Sequence, residues 1–221
     1  MNSLYAIIKL IHICAGAFAL VSGLIAMLTV KGGKAHRLHG KIYFWSMAIV
    51  FVTSVYMSII KTTLFFTLIA FFSFQAAFNG YRILYLKKLP QGQKPGVIDY
   101  LALVIGASAA VSMLAFAAAA FLGNRQMAII LGVFGAFYTI GVWNEWRKFQ
   151  KPPQEKMFWY YKHIGQMGGA YIATTTAFLV NNYYLFPFAP PAVLWLAPTA
   201  IGVVLITITI KKYKRKHVQQ S

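Results

Sequence analysis

Three histidines of this chain have positions that would allow them to supply ligands to one site. His36 and His39 are three residues apart within Lys31–Lys41, a basic stretch that reads KGGKAHRLHGK. If the end of this stretch is helical, both rings face the same way and form a two-ligand clip. His163 begins a later apolar segment at a similar depth, and imidazole is a usual ligand of zinc, copper and haem iron. The spacing therefore predicts a metal or haem site.

Only some of the histidines could hold one haem together, because two axial histidines must lie at one depth on facing helices. His12 lies in the first apolar segment, about 27 Å from the inner end of that helix at about 1.5 Å per residue. His12 therefore cannot share a haem with His39. An inner haem could be held by His39 and His163. An outer haem would have His12 and a second ligand that is not a histidine. The alternative for His12 is a hydrogen bond inside the bundle. For a bare zinc or iron ion, Glu145 or Asp99 would add a carboxylate ligand.

Further polar side chains collect in the same half of the apolar segments. Asp99 and Glu145 are two of only three acidic residues, and buried acids need partners such as Arg82, Lys162 or His163. One interpretation is a pocket that binds a ligand, metal or cofactor from the cytoplasmic side. The other is a structural ion-pair network at the rim of the bundle. The predicted pocket-lining residues are Gln75, Asn79, Arg82, Asp99, Tyr138 and Gln166.

Composition identifies the class of protein that positions these residues. The chain has 221 residues, of which 59% are hydrophobic and 11% charged, whereas about a quarter are charged in soluble domains. A spanning helix needs about 20 mainly apolar residues. We predict a polytopic all-α protein with one bundle of seven transmembrane helices over residues 1–210 and a basic tail over residues 211–221. The segments are 5–30, 42–60, 63–85, 99–122, 126–146, 158–181 and 189–210.

The placement of charge predicts the orientation. The formal net charge of +18 would suit nucleic-acid binding, but basic residues between apolar segments exclude that class. They collect in alternate loops and in the tail, so the N-terminus is predicted outside and the C-terminus in the cytoplasm of a multi-pass protein of the cell membrane. Anionic lipids are the expected partners of the basic loops and tail. A homo-oligomer or another membrane partner is left open.

Two apolar segments have distinctive faces. In the first, Gly16, Ala19, Gly23 and Ala26 follow His12 at spacings of three or four residues, which places them on one helical face. Small residues let helices approach closely in lipid, so this stripe is predicted to face the bundle. The third segment is predicted to present a lipid-facing surface of phenylalanines. These are Phe65, Phe66, Phe71, Phe72, Phe74 and Phe78.

Motifs for several kinds of catalysis are missing. The sequence has no GxxxxGKS phosphate loop, no GxGxxG, no GxSxG elbow and no CxxC. With three acidic residues in the chain, paired-carboxylate catalysis has few candidates. The residues therefore assign no enzymatic reaction.

The basic stretch and its flanks resemble a known family. KGGKAHRLHGKIYFWSM, the upstream HICAGAFALVSGLIAM and the downstream HIGQMGGAYIA together resemble the bacterial membrane proteins grouped as domain of unknown function 2306. The resemblance implies a membrane topology and little mechanism. The chain is also loosely similar to haem-handling membrane proteins of the cytochrome b561 type. It departs from them because it lacks their four paired histidines in the middle of the bundle. The matching residues are His12, Gly16, Gly23, Lys31, Gly32, Gly33, His36, Arg37, Gly40, Tyr43, Ser46 and Met47.

Three classes of function follow from the sequence. The first is a membrane protein whose cytoplasmic-side histidine pocket binds a metal or haem in a redox-linked role. The second is a transporter of a small molecule or ion, with a pathway formed by the polar residues of helices three to five. The third is a structural or assembly factor whose polar residues hold helices together.

Overall fold

The computed structural model describes residues 3–218, which form seven α-helices and three short 3-10 turns, with no strand in that range. The all-α prediction is therefore confirmed. Every predicted segment corresponds to one helix, although the bounds differ at several ends. The helices are α1 (Ser3–Leu28), α2 (Lys34–Ile60), α3 (Leu64–Arg82), α4 (Val97–Ala120), α5 (Arg125–Gln150), α6 (Phe158–Asn181) and α7 (Pro191–Val218).

Six of the seven helices are long and apolar enough to cross a membrane, so the chain is a multi-pass membrane protein. The exception is α6, which has 24 residues and a length of about 36 Å. Lys162, His163 and Gln166 lower its hydropathy. It packs against α1, α3 and α7. The one helix that is not apolar enough to be counted as a membrane span is therefore packed against three others, as expected for polar groups in lipid.

The basic stretch is mostly helix and only briefly loop. Gly32 has a φ of 76°, a left-handed conformation that glycine adopts without strain. Gly33 precedes the first residue of α2, Lys34. The helix therefore begins before the predicted apolar segment 42–60, because the two glycines complete the turn and the residues after them continue into the helix. The predicted tail is likewise an extension of α7 as far as Val218, and residues 219–221 lie outside the described range.

The small-residue face of α1 packs into the bundle, as predicted. Ala19, Gly23 and Ala26 are buried. A Cβ atom at Gly23 would lie 2.6 Å from the ring of Tyr171 and 2.9 Å from that of Tyr43, so only glycine lets α1 approach these two rings. This contact brings α2 and α6 together beside α1.

The prediction that the phenylalanines of α3 face lipid was wrong for most of them. Phe74 stacks on Phe51 of α2 with ring centroids 4.8 Å apart, and Phe72 stacks on Phe134 of α5 at 5.4 Å. Only Phe66 is largely exposed. α3 contacts α2, α4 and α6, and so it has neighbouring helices on several sides. Most of its aromatic rings therefore pack between helices and do not face lipid.

Candidate functional site

A pair of histidines lies where α2 and α6 meet near the basic end of the bundle. The ring centroids of His36 and His163 are 6.1 Å apart, with ring planes at 75°. His36 lies in the first turn of α2, and His163 lies in the second turn of α6. We call these two residues the histidine pair. Their contact depends on the α1–α2–α6 packing around Gly23.

Both rings are held by backbone carbonyl groups. Nδ1 of His36 donates to the carbonyl oxygen of Ala26 at 2.8 Å, and Nδ1 of His163 donates to that of Gly80 at 2.7 Å. A carbonyl oxygen only accepts, so each Nδ1 carries a proton, and in its neutral form each ring keeps a lone pair on Nε2. Within residues 3–218, neither Nε2 has a hydrogen-bond partner. This is the arrangement that orients histidines at metal sites.

The carbonyl group that holds His163 belongs to a close helix crossing. A Cβ atom at Gly80 would lie 2.8 Å from the sulfur and 3.0 Å from the backbone nitrogen of Met167. Any side chain at this position would therefore push α3 away from α6. Gly80 thus sets the α3–α6 distance and the position of the acceptor for His163.

Basic groups surround the histidine pair. The ammonium group of Lys31 folds back to donate to the carbonyl groups of Met27 and, at 3.3 Å, Ala26, at the negative end of the α1 dipole. Partial burial lowers the pKa of Lys31. Lys31 and Lys87 both act electrostatically on His163. These two lysines therefore place positive charge beside the histidine pair.

The remaining predicted metal ligands do not join the pair. Among the described residues, no three His, Cys, Asp or Glu side chains are grouped as a metal site would require. The predicted set of His36, His39, His163 and Glu145 is thus reduced to two members in contact. His39 is half-buried one turn further along α2, and Glu145 is engaged by two lysines of its own.

His12 lies far from the other predicted ligands. Its Nδ1 is 2.9 Å from Oγ1 of Thr53, whose hydroxyl donates to the carbonyl oxygen of Ile49 at 2.7 Å. The hydroxyl proton is used there, so His12 is the donor to Thr53. Thr53 and His36 are separated by about 25 Å along α2. The hydrogen bond agrees with the structural alternative for His12.

A second group of polar residues links α3, α4, α5 and α6. Arg82 contacts Asp99 through two bonds, Nε to Oδ1 at 2.8 Å and Nη2 to Oδ2 at 3.0 Å. The same carboxylate accepts from the backbone nitrogen of Gly96 at 2.7 Å, at the positive end of the α4 dipole. Both charges are thereby satisfied, and α3 is joined to the start of α4.

Glu145 provides the second half of this group. It is 4% exposed, contacts the ammonium group of Lys148 one turn along α5, and lies 2.7 Å from that of Lys162 on α6. The Lys162 contact is an ion pair without hydrogen-bond alignment, so Oε1 has no hydrogen-bond partner. We call Arg82, Asp99, Glu145, Lys148 and Lys162 the charge network.

Four of the six predicted pocket residues line one small cavity of about 10 Å³ beside the charge network; these are Gln75, Asn79, Arg82 and Asp99. A cavity of this size is at the lower limit for one water molecule. Tyr138 lies elsewhere, 3.5 Å from the carbonyl oxygen of Phe71. Gln166 lines a separate and larger cleft. The predicted pocket is therefore too small for an organic solute.

Two residues that make polar contacts were not predicted from the sequence. Lys148 lies beyond residue 146, the predicted end of the fifth segment, although its three-residue spacing from Glu145 on one helix predicts an ion pair. His217 was assigned to the tail, yet its Nδ1 lies 2.8 Å from the hydroxyl of Tyr161. No local pattern would have indicated this contact, because it depends on how far α7 continues.

The comparisons with known proteins identify a family. No curated protein and no solved structure matches the chain. One family model, described as a predicted membrane protein of domain of unknown function 2306, matches residues 9–145. The match contains His12, His36 and His39 and ends before His163. Because it covers more than half of the sequence, the chain belongs to the membrane protein family of domain of unknown function 2306.

Proposed function

We propose that this membrane protein binds a transition-metal ion through the imidazoles of His36 and His163, in a redox-linked role. The supporting observation is the histidine pair itself, with both Nδ1 atoms bonded to backbone carbonyl groups and both Nε2 lone pairs available. Metal–imidazole bonds of about 2.1 Å on a straight line would separate the two ring centroids by roughly 6.5 Å. The observed 6.1 Å is close to that spacing.

The number of protein donors favours haem iron over a bare ion. Structural zinc takes four protein ligands and catalytic zinc three, whereas two side chains meet here. In haem the macrocycle supplies the equatorial nitrogens, so the protein contributes only axial ligands. His36 and His163 would be the residues that hold the group, which would supply one-electron chemistry.

The residues around the pair define what the protein contributes. Ala26 and Gly80 accept from the Nδ1 atoms, which fixes the tautomers and strengthens Nε2 as a ligand. Lys31 and Lys87 bring positive charge near His163, which would stabilise the reduced and less positive state of a bound metal.

The test is the absorption spectrum and metal content of purified protein and two histidine variants. Protein produced in iron-replete cells is expected to show a Soret band that shifts on reduction, and His36→Ala or His163→Ala is expected to lose it. His39→Ala is the matched control, since His39 lies on the same helix and outside the pair. Copper or zinc in place of haem would support a bare ion. Metal-free and colourless protein would contradict the proposal.

We also propose the predicted orientation, with the basic end of the bundle in the cytoplasm. The histidine pair lies at that end and would take its ligand from the cytoplasmic side. A C-terminal fusion to a fluorescent protein that matures only in the cytoplasm is expected to fluoresce, and a fusion to alkaline phosphatase is expected to be inactive. The reverse result would contradict the orientation.

For the charge network we propose a structural role. Its acids already have basic partners, and its cavity of about 10 Å³ leaves no room for more than one water. These observations favour the third predicted class for this part of the molecule and do not support transport through it.

A further inference from the structure

A cleft of about 590 Å³ lies between α5 and α6, with α3 and α7 as its other walls. It exists because α5 and α6 make few direct contacts with each other. Neither member of the histidine pair lines it. Its volume is within the range of ligand-binding sites, about 300–1,000 Å³.

The wall formed by α6 is made of small residues. Gly165, Gly169, Ala173 and Ala177 follow one another at intervals of four and all line the cleft. In membranes such a stripe usually packs against a neighbouring helix. Here a Cβ atom at Gly169, or at Gly141 on the facing wall, would meet no atom within 4 Å. The cleft is therefore space that the protein's own side chains leave open.

The two ends of the cleft differ in chemistry. At one end it is bounded by Trp195 of α7 and Phe134 of α5, whose ring centroids are 6.2 Å apart. At the other end it is bounded by Lys148, Lys162 and Lys214. Between them the lining is mainly apolar.

The shape of the cleft suits a single hydrocarbon chain. Trp195 and Lys214 are separated by about 28 Å along α7, close to the hydrocarbon thickness of a bilayer, about 30 Å. Spread over that length, 590 Å³ gives an average cross-section of about 20 Å². If a methylene group takes up about 30 Å³, as water does, the cleft holds roughly 20 non-hydrogen atoms.

The basic end carries an excess of positive charge. Lys148 and Lys162 share one carboxylate, that of Glu145, and Lys214 pairs with Glu155 at 2.9 Å. Among residues 3–218, three lysines therefore face two acids at this end, which leaves one positive charge without a counter-ion in that range. A ligand with one negative charge would complete this end.

We infer that the cleft is a binding site for a single-chain amphiphile with a carboxylate head, such as a long-chain fatty acid. The carboxylate lies among the lysines at the basic end, and the alkyl chain extends past Gly169 toward Trp195. This site is separate from the histidine pair and does not depend on the metal proposal. A diacyl phospholipid has two chains side by side and about twice the required volume.

The test measures binding of radiolabelled hexadecanoate to the purified full-length chain in a non-ionic detergent. Wild-type protein is expected to bind one equivalent, and methyl hexadecanoate, which lacks the charge, is expected to bind at least tenfold more weakly. Gly169→Leu is expected to reduce affinity for hexadecanoate at least tenfold, because the leucine side chain occupies the cleft. Gly141→Leu tests the same prediction from the opposite wall if the first variant does not fold.

Gly132→Leu is the matched control. Gly132 also lies on α5 with no atom within 4 Å of an added Cβ, but it does not line the cleft. This variant is expected to bind hexadecanoate as the wild type does. Equal binding of the methyl ester, preferential retention of a diacyl lipid, or wild-type affinity in both cleft variants would overturn the inference.

Discussion

Lys162 and His163 are neighbours in the sequence, yet they belong to two regions with opposite bonding. Successive residues of a helix point about 100° apart, so Lys162 of α6 reaches Glu145 on α5 whereas His163 reaches Gly80 on α3. In the charge network the acids already have basic partners. In the histidine pair each ring uses one nitrogen for the fold, and the other has no hydrogen-bond partner among residues 3–218.

The number of polar residues in a region is therefore a poor guide to a ligand-binding site. The charge network has more charged groups than the histidine pair, and its ions hold one another in place. Breaking a buried ion pair is costly because it leaves a charge without a partner. The histidine pair would lose little fold stability on substitution and would lose ligand binding entirely. Mutations in the two regions should therefore separate stability from binding.

The largest expected effect on stability is at Glu145. Glu145→Gln leaves Lys148 and Lys162 without their counter-ion, and we expect a loss of about 3–5 kcal/mol in unfolding free energy. The matched control is Glu155→Gln. Glu155 and Lys214 are 46% and 45% exposed in their ion pair, and exposed pairs contribute about 0–1 kcal/mol. Denaturation in detergent checks both. Equal losses in the two variants would mean that the charge network has no special structural role.

The next largest loss of stability is expected at Gly80, where α3 crosses α6. Both the histidine pair and the charge network include a residue of α6. Gly80→Ala places a methyl group within 3.0 Å of the Met167 backbone nitrogen, and overpacking of this kind costs about 1–3 kcal/mol. It should also displace the acceptor of His163 and weaken metal binding. Gly40→Ala on α2 is the control, since an added Cβ there meets nothing within 4 Å. Unchanged metal content in Gly80→Ala would show that this carbonyl group does not position the ligand.

The smallest effect is expected at the third polar contact, between His12 and Thr53. Thr53→Val removes the acceptor of the His12 hydrogen bond, and such bonds in membranes average about 0.6 kcal/mol. Metal content should stay at the wild-type level, because His12 lies far from the histidine pair. Thr209→Val is the control, since the Thr209 hydroxyl bonds only within its own helix, to Leu205 at 2.8 Å. Loss of metal from the Thr53→Val variant would contradict the structural role of His12 and indicate that His12 contributes to metal binding.

Much of the fold could be predicted from hydropathy, because lipid requires long apolar helices and these leave a simple pattern. The stripe on α1 was also readable, since small residues at intervals of three and four define one face. The scarcity of acids also limited the possible partners of Asp99 and Glu145 to a short list, which contains Arg82 and Lys162. Each of these inferences needs only a local pattern or a short inventory of partners.

The choice between His36 and His39 could not be predicted in the same way. Both lie on α2, and which one meets His163 depends on the rotation of α2 about its axis. That rotation is set by the turn at Gly32 and by the packing of Tyr43 against Gly23. These are contacts between helices, which a single sequence does not display.

The distance along the chain between the two histidines has a consequence for biogenesis. His36 enters the membrane with the second helix, and its bond to Ala26 needs nothing made later. His163 arrives only with the sixth helix, and its acceptor on Gly80 lies 83 residues upstream. Because synthesis runs from the N-terminus, the second proposed ligand is absent for most of the time that the chain is being inserted. Loading of the proposed metal site would then be a late event, and a chain arrested after α5 would carry the family's matched region without both histidines.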